Sequence, residues 1–235
     1  MLGRVVLLVA EEPQLRALLR VALNRRGARL IECREASDAA EQVEERRPDC
    51  VLLDLRLVKA TASDTTALLR ERTDAPIIAF SDFAEDELKI AILDAGADDF
   101  LTIPFSGEEM LARMRAALRR ALRFRVDQPQ PSFHAGVLEV DFAAREVRVL
   151  GKAIHLTPTE YKLLGVLIES AGKVVTHEQL LNQVWGPASR DQIQYLRVYM
   201  KQLRRKLEPP AVPQYLVTEP AIGYRLRLPQ GRPRA

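Results

Sequence analysis

The sequence predicts two domains of different class, an α/β domain on a five-stranded parallel sheet and a smaller α+β domain behind it. Three observations predict this. Short apolar runs alternate with helix-period segments through residues 4–105. That period is lost within residues 125–132, which carry two prolines. Period-two alternation, three helix patterns and a closing hairpin then fill the rest of the chain. The expected boundaries are 1–123 for the first domain, 124–132 for a linker and 133–235 for the second.

Val5–Val9 is a continuous apolar run, as in a strand buried on both faces. Leu15, Leu18, Leu19, Ala22 and Leu23 follow at helical spacing, and Gly27 ends that helix. The cycle repeats through residues 29–33, 36–46, 50–54, 63–72, 76–80, 85–95 and 100–101. Ser106 is placed to cap a last helix running to about Phe124, with Glu108 and Glu109 in its first turn. Five such repeats imply a parallel sheet covered on both faces, whose site lies at the carboxyl ends of the strands.

In the second domain Val137–Val140, Glu146–Val149 and Lys152–His155 are expected strands. Thr157-Pro158-Thr159-Glu160 starts a helix with a capping box and proline in the first turn. Thr176-His177-Glu178-Gln179 offers the same device to a second helix, which Gly186-Pro187 ends. A third helix is expected over about Arg190–Leu207. Its apolar stripe is Leu196, Met200, Leu203 and Leu207, opposite Gln194, Arg197, Lys201 and Arg205. Residues 215–218 and 224–228 form the hairpin.

Composition narrows the function. The chain has 235 residues, no apolar stretch near the roughly 18 needed to span a bilayer, and no secretory signal, since Glu11-Glu12 interrupts the apolar start. A cytoplasmic protein without membrane contact is expected, with Cys33 and Cys50 as buried reduced thiols. The net charge of +3 is unevenly spread. Residues 133–235 hold 15 Lys+Arg against 9 Asp+Glu, and the remainder holds 20 against 23. A basic half beside an acidic half points to a polyanion as partner of the former.

At the strand ends of the first domain, Glu11 and Glu12, Asp54, Ser81 and Ile103-Pro104 converge. With Val9-Ala10-Glu11-Glu12-Pro13, Leu53-Asp54-Leu55, Asp94-Ala95-Gly96-Ala97-Asp98-Asp99-Phe100 and Pro104-Phe105, this part resembles the flavodoxin-like (CheY-like) receiver domain of response regulators. The resemblance implies Asp54 as phosphoacceptor for a sensor histidine kinase and Ser81 as the hydroxyl that binds phosphoryl oxygens. It implies Mg²⁺ held by Glu11, Asp54 and the backbone carbonyl of Arg56. Two matches fail: Ala10 stands where an acidic ligand is usual, and Ile103 where a lysine is usual. Mg²⁺ binding is therefore expected to be weakened, although Glu12 could replace Ala10 and Lys59 could lend a cation from the loop after Asp54. The phosphoryl group also loses a charged hydrogen bond worth about 1.5–3 kcal/mol. A degenerate receiver is expected, phosphorylated poorly or not used as a phosphoswitch; the alternative is a conventional regulator switched through Asp54.

Trp185-Gly186-Pro187, the run Tyr195–Leu207 and Ile222-Gly223-Tyr224-Arg225, together with the Leu156–Glu160 helix start, resemble the winged helix-turn-helix of OmpR/PhoB regulators. Within that family the Val-Trp-Gly-Pro and Tyr-Leu-Arg-Val-Tyr-Met wording looks most like KdpE-type regulators of potassium uptake. The resemblance implies a third helix in the major groove of double-stranded DNA. Gln194, Arg197, Val198, Lys201, Gln202 and Arg205 are expected to face DNA, with Arg197 first among base readers. Lys201 and Arg204 are expected on phosphates, beside Trp185 and, in the wing, Tyr224. Gly186–Asp191 matches the loop relatives present to RNA polymerase. The family's receivers pair through their fourth helix, fifth strand and fifth helix, so Lys89, Asp98, Asp99, Glu109, Arg113 and Arg120 are expected at a homodimer face. Two other classes of function fit the residues less well. A phosphatase using Asp54 is disfavoured by Ala10 and Ile103, so no enzyme is expected. An adaptor that has lost DNA binding is disfavoured by Arg197, Lys201, Arg204 and Arg205.

Overall fold

The computed structural model describes residues 2–58, 61–82, 85–123, 132–186, 193–210 and 215–228, excepting the side chains of 119–123. The chain divides into two compact units, Met1–Ala121 and Leu122–Ala235.

The first unit alternates β1 (Val5–Val9), α1 (Pro13–Asn24), β2 (Arg29–Cys33), α2 (Ala36–Arg46) and β3 (Cys50–Asp54). Then come α3 (Leu55–Val58), α4 (Ala62–Arg72), β4 (Ile77–Ser81), α5 (Asp86–Asp94), β5 (Asp99–Thr102) and α6 (Gly107–Arg123). The five strands form one parallel sheet in the order β2-β1-β3-β4-β5. Val6–Val9, Cys50–Leu53 and Ile77–Phe80 are fully buried, which explains why these strands read as unbroken apolar runs. The order reverses beside β1 and β3, so their carboxyl ends border the crevice where such sheets hold ligands. Ser106 caps α6 as expected, its Oγ accepting the Glu109 N–H at 3.1 Å. One element was not foreseen. The single turn α3 follows Asp54 directly, so the fourth and fifth helices expected from sequence are α5 and α6.

A second unforeseen feature is a buried charge network on the far side of this sheet. Arg70, 9% exposed, donates to the carbonyls of Gly96, Thr73 and Ala75 at 3.0, 2.9 and 3.1 Å. It also donates to Asp98 Oδ2 at 2.6 Å, and that oxygen accepts the Ile77 N–H at 3.0 Å. Asp98 thereby ties the end of α4 to the start of β4.

The second unit opens with an antiparallel sheet of β6 (Ser132–Ala135), β7 (Leu138–Asp141), β8 (Glu146–Val149) and β9 (Lys152–Ile154), in sequence order. Ser132, assigned to the linker by sequence, begins β6; Pro131 before it masks the strand signal. The helices are α7 (Pro158–Glu169), α8 (His177–Val184) and α9 (Ile193–Leu207), and both expected capping boxes form, on Thr157/Glu160 and Thr176/Gln179. Positions 190–192 of the expected third helix lie outside the described residues.

A three-stranded sheet closes the unit, with β10 (Val174–Thr176), β12 (Gly223–Leu226) and β11 (Leu216–Glu219) in that spatial order. Three-residue β10 was not foreseen, being too short to show alternation. It pairs so tightly that a Cβ on Gly223 would stand 2.0 Å from the Val175 carbonyl oxygen. Backbone cannot yield as a side chain does. Gly223→Ala is therefore expected to destabilise this unit by about 3 kcal/mol, the upper end of overpacking costs. Thermal unfolding followed at Trp185 fluorescence checks this; a melting temperature equal to wild type would refute the tight pairing.

Candidate functional site

The strand ends bring Asp54 to the floor of a cleft of about 410 Å³ lined by Glu11, Glu12, Pro13, Asp54, Arg56 and Leu57. Asp54 is 2% exposed. Its carboxylate is fully engaged: Oδ1 accepts from the Arg56 backbone N–H and from Arg56 Nε, both at 3.0 Å, and Oδ2 accepts from Arg56 Nη2 at 2.8 Å. The same Nη2 lies 2.8 Å from Glu12 Oε2. Glu12 is the N-cap residue of α1, yet its side chain makes no capping bond. Its hydrogen bonds to Asp54, the charge of Asp54 and then the bond to and charge of Glu12 raise the Arg56 pKa further above its already high ordinary value, outweighing burial. Sequence reasoning gave Arg56 only a backbone role. An arginine two positions past a buried aspartate, with two glutamates at the neighbouring strand end, was the available signal.

Ser81 is fully buried at the end of β4, and its hydroxyl lies 3.4 Å from Asp82 Oδ1. Its carbonyl accepts the Ile103 N–H at 2.8 Å, ahead of a cis Ile103–Pro104 bond. Ile103 packs on the apolar cluster that includes fully buried Ala10. The two positions where acid and lysine would stand are thus apolar parts of the core. Glu11 is exposed at the cleft, and Lys59 lies outside the described residues.

These residues do not fit a divalent cation as they stand. Mg²⁺ needs near-octahedral oxygen ligands at about 2.0–2.1 Å. Ala10 supplies none, Asp54 and Glu12 share a guanidinium, and of the expected carboxylate ligands only Glu11 lines the cleft outside that pair. Among the described residues no group of three or more His, Cys, Asp or Glu side chains is placed to hold a metal.

On the expected dimer face Lys89 pairs with Asp86 at 3.4 Å. Arg113 bonds Asp99 at 3.1 Å and approaches Glu109 at 3.8 Å. Asp98 and Asp99 are 1% and 2% exposed. Asp98 does not line the surface as expected; Arg70 and the Ile77 N–H turn it inward. Asp99 is likewise covered, by Arg113 of its own chain. Arg120 lies on α6, its side chain outside those described.

In the second unit α9 presents Gln194, Arg197, Lys201 and Arg205 to solvent on one face, while Leu196, Met200, Leu203 and Leu207 are buried opposite. Five residues expected to face DNA are placed away from that exposed stripe. Val198 and Gln202 are 6% and 3% exposed, because one position beyond Arg197 and Lys201 the helix has already turned inward. Trp185 is 4% exposed and packs on Tyr199 at 5.2 Å, its indole N–H buried without a hydrogen-bond partner among the described residues. Arg204 is held by the wing: it donates to the Leu216 carbonyl at 3.0 Å and Thr218 Oγ1 at 2.7 Å, and lies over the Tyr224 ring at 5.7 Å. Tyr224 is itself 5% exposed, edge-on to His177 at 5.5 Å.

Burial first, and then the Arg197 charge, lowers the His177 pKa. At the wing tip Glu219 pairs with Arg225, and Ile222 is 54% exposed, so apolar surface stands where cations would meet a minor groove. Of the loop from Gly186 to Asp191, only Gly186 is among the described residues.

Known proteins agree with both halves. Residues 6–115 match the response regulator receiver domain and residues 151–226 match the transcriptional regulatory protein, C-terminal family. The chain belongs to the OmpR/PhoB-type response regulators, transcription regulators in which a receiver precedes a DNA-binding winged helix. It is 43% identical over 224 residues to the KDP operon transcriptional regulatory protein KdpE of Escherichia coli, covering 95% of this chain and 99% of that one. Identity to the transcriptional regulatory protein KdpE of Mycobacterium tuberculosis is 42% over 221 residues, 94% of this chain and 97% of the relative. A solved structure of a RitR mutant shares the fold with a TM-score of 0.80, at 25% identity over 97% of this chain and 100% of that one. No helix among the described residues is long and apolar enough to cross a membrane.

Proposed function

We propose that this regulator binds promoter DNA as a homodimer through α9, and that its receiver works without phosphorylation of Asp54. The observation that carries the DNA half is the exposed Gln194-Arg197-Lys201-Arg205 stripe, a cationic and amide face on the third helix of the unit. Arg197 reads bases, Lys201 and Arg205 meet phosphates, and Arg204 serves by fixing the wing. Residues 124–131 link the halves. The surface around α5, β5 and α6, with Lys89, Glu109 and Arg113, forms the dimer face. Gly186–Asp191 faces RNA polymerase. The names of the KdpE relatives suggest the counterpart of the KDP operon as target.

Phosphate independence is supported by the two apolar substitutions. Phosphoryl transfer needs a cation against the developing charge, and Ala10 and Ile103 remove one acid and one lysine that the family uses. The second reading, a conventional switch, is favoured by the retained Asp54 and Ser81 at adjacent strand ends. One experiment separates them. Asp54→Asn and wild type are expected to bind promoter DNA equally and to sediment as the same dimer, with little label taken from acetyl phosphate. Prompt stoichiometric labelling that Asp54→Ala abolishes, accompanied by tighter DNA binding, would establish the conventional switch instead.

A further inference from the structure

The cleft contains a cation of its own. Arg56 Nη2 sits 2.8 Å from one oxygen of Asp54 and 2.8 Å from one oxygen of Glu12, between the ends of β3 and β1. Its Nε takes the other oxygen of Asp54. We propose that the Arg56 guanidinium is the resident cation of this receiver, seated on Asp54, the carboxylate a divalent metal would share with Glu11, and on Glu12, the acid that could stand in for Ala10, and excluding Mg²⁺ from both.

The chemistry supports this seat. A planar guanidinium meets a carboxylate through two parallel N–H bonds, which a lysine ammonium cannot do. Asp54 has a side chain 3% exposed, so its charge is dear to bury unless a partner neutralises it. Arg56 does so at all times, because guanidinium stays protonated throughout the physiological range. The side chain is tethered two residues from its partner, so no free ligand concentration enters the equilibrium. An exposed ion pair would be a trivial explanation, worth little, but one partner here is buried and both its oxygens are engaged. To enter, Mg²⁺ would have to strip three charge-assisted hydrogen bonds, and Ala10 gives it no carboxylate in return.

The inference deepens the reading of a phosphate-independent receiver. Its test reads the cleft alone, whereas promoter binding reads α9, so either can fail without the other. Mg²⁺ alone is titrated calorimetrically into the full chain. Wild type is expected to show no saturable binding up to about 10 mM, and Arg56→Gln to bind at least roughly tenfold more tightly, an effect the added substitution Asp54→Asn removes. An Arg56→Gln protein that melts cooperatively yet binds Mg²⁺ no better than wild type overturns the proposal. A second measurement needs no variant. In wild type the Arg56 Nε–H should give a slowly exchanging NMR signal that about 10 mM Mg²⁺ leaves in place; its displacement by the metal would equally overturn the proposal.

Discussion

Arg70→Ala is expected to destabilise the receiver by about 3–5 kcal/mol, because it strands a buried carboxylate. Asp98 is 1% exposed and would lose the guanidinium at 2.6 Å, while the carbonyls of Thr73, Ala75 and Gly96 lose a shared donor. For a domain of this size the receiver transition should fall by on the order of 10 °C, read by circular dichroism during heating. Combining Arg70→Met with Asp98→Asn should recover much of the loss, since replacing both partners removes the unpaired charge. A single substitution costing under about 1 kcal/mol would show that Asp98 is not dependent on this arginine.

The second large effect concerns DNA. Arg197→Ala is expected to weaken binding to the operator by about 1–3 kcal/mol and to relax sequence preference at the base it reads. Lys201→Ala should weaken all sequences alike and flatten the salt dependence by about one unit of slope. Fluorescence anisotropy on specific and scrambled duplexes at several salt concentrations gives both quantities. Equal loss on every duplex for Arg197→Ala would remove it as a base reader. Arg204→Ala is expected to differ from both. Its guanidinium joins α9 to β11 and to Tyr224, so the variant should lower the melting temperature as well as the affinity.

Much of this was legible in the sequence because its signals were long or chemically marked. Unbroken apolar runs gave the buried strands, and two capping boxes gave the starts of α7 and α8. Asp54 stood out because an acid ends an apolar strand. What stayed hidden was short or depended on side-chain direction. The turn α3 and strand β10 have four and three residues, too few for a period. Val198 and Gln202 lie one residue from exposed cations, and a helix turns about 100° in that step. Arg56, Arg70 and Arg204 look like ordinary surface arginines until the fold sets an acid or a row of carbonyls against each.

The attachment of α9 has a consequence for how this molecule meets DNA. Lys206 reaches the buried Glu160 at 2.6 Å, Trp185 leans on Tyr199, and Arg204 grips the wing. A helix moored at its carboxyl end and along its flank arrives at the duplex already shaped there, with little freedom left to forfeit on contact. For such a head the entropy of ordering is settled before contact, so tightening the grip on α9 further would add little to affinity.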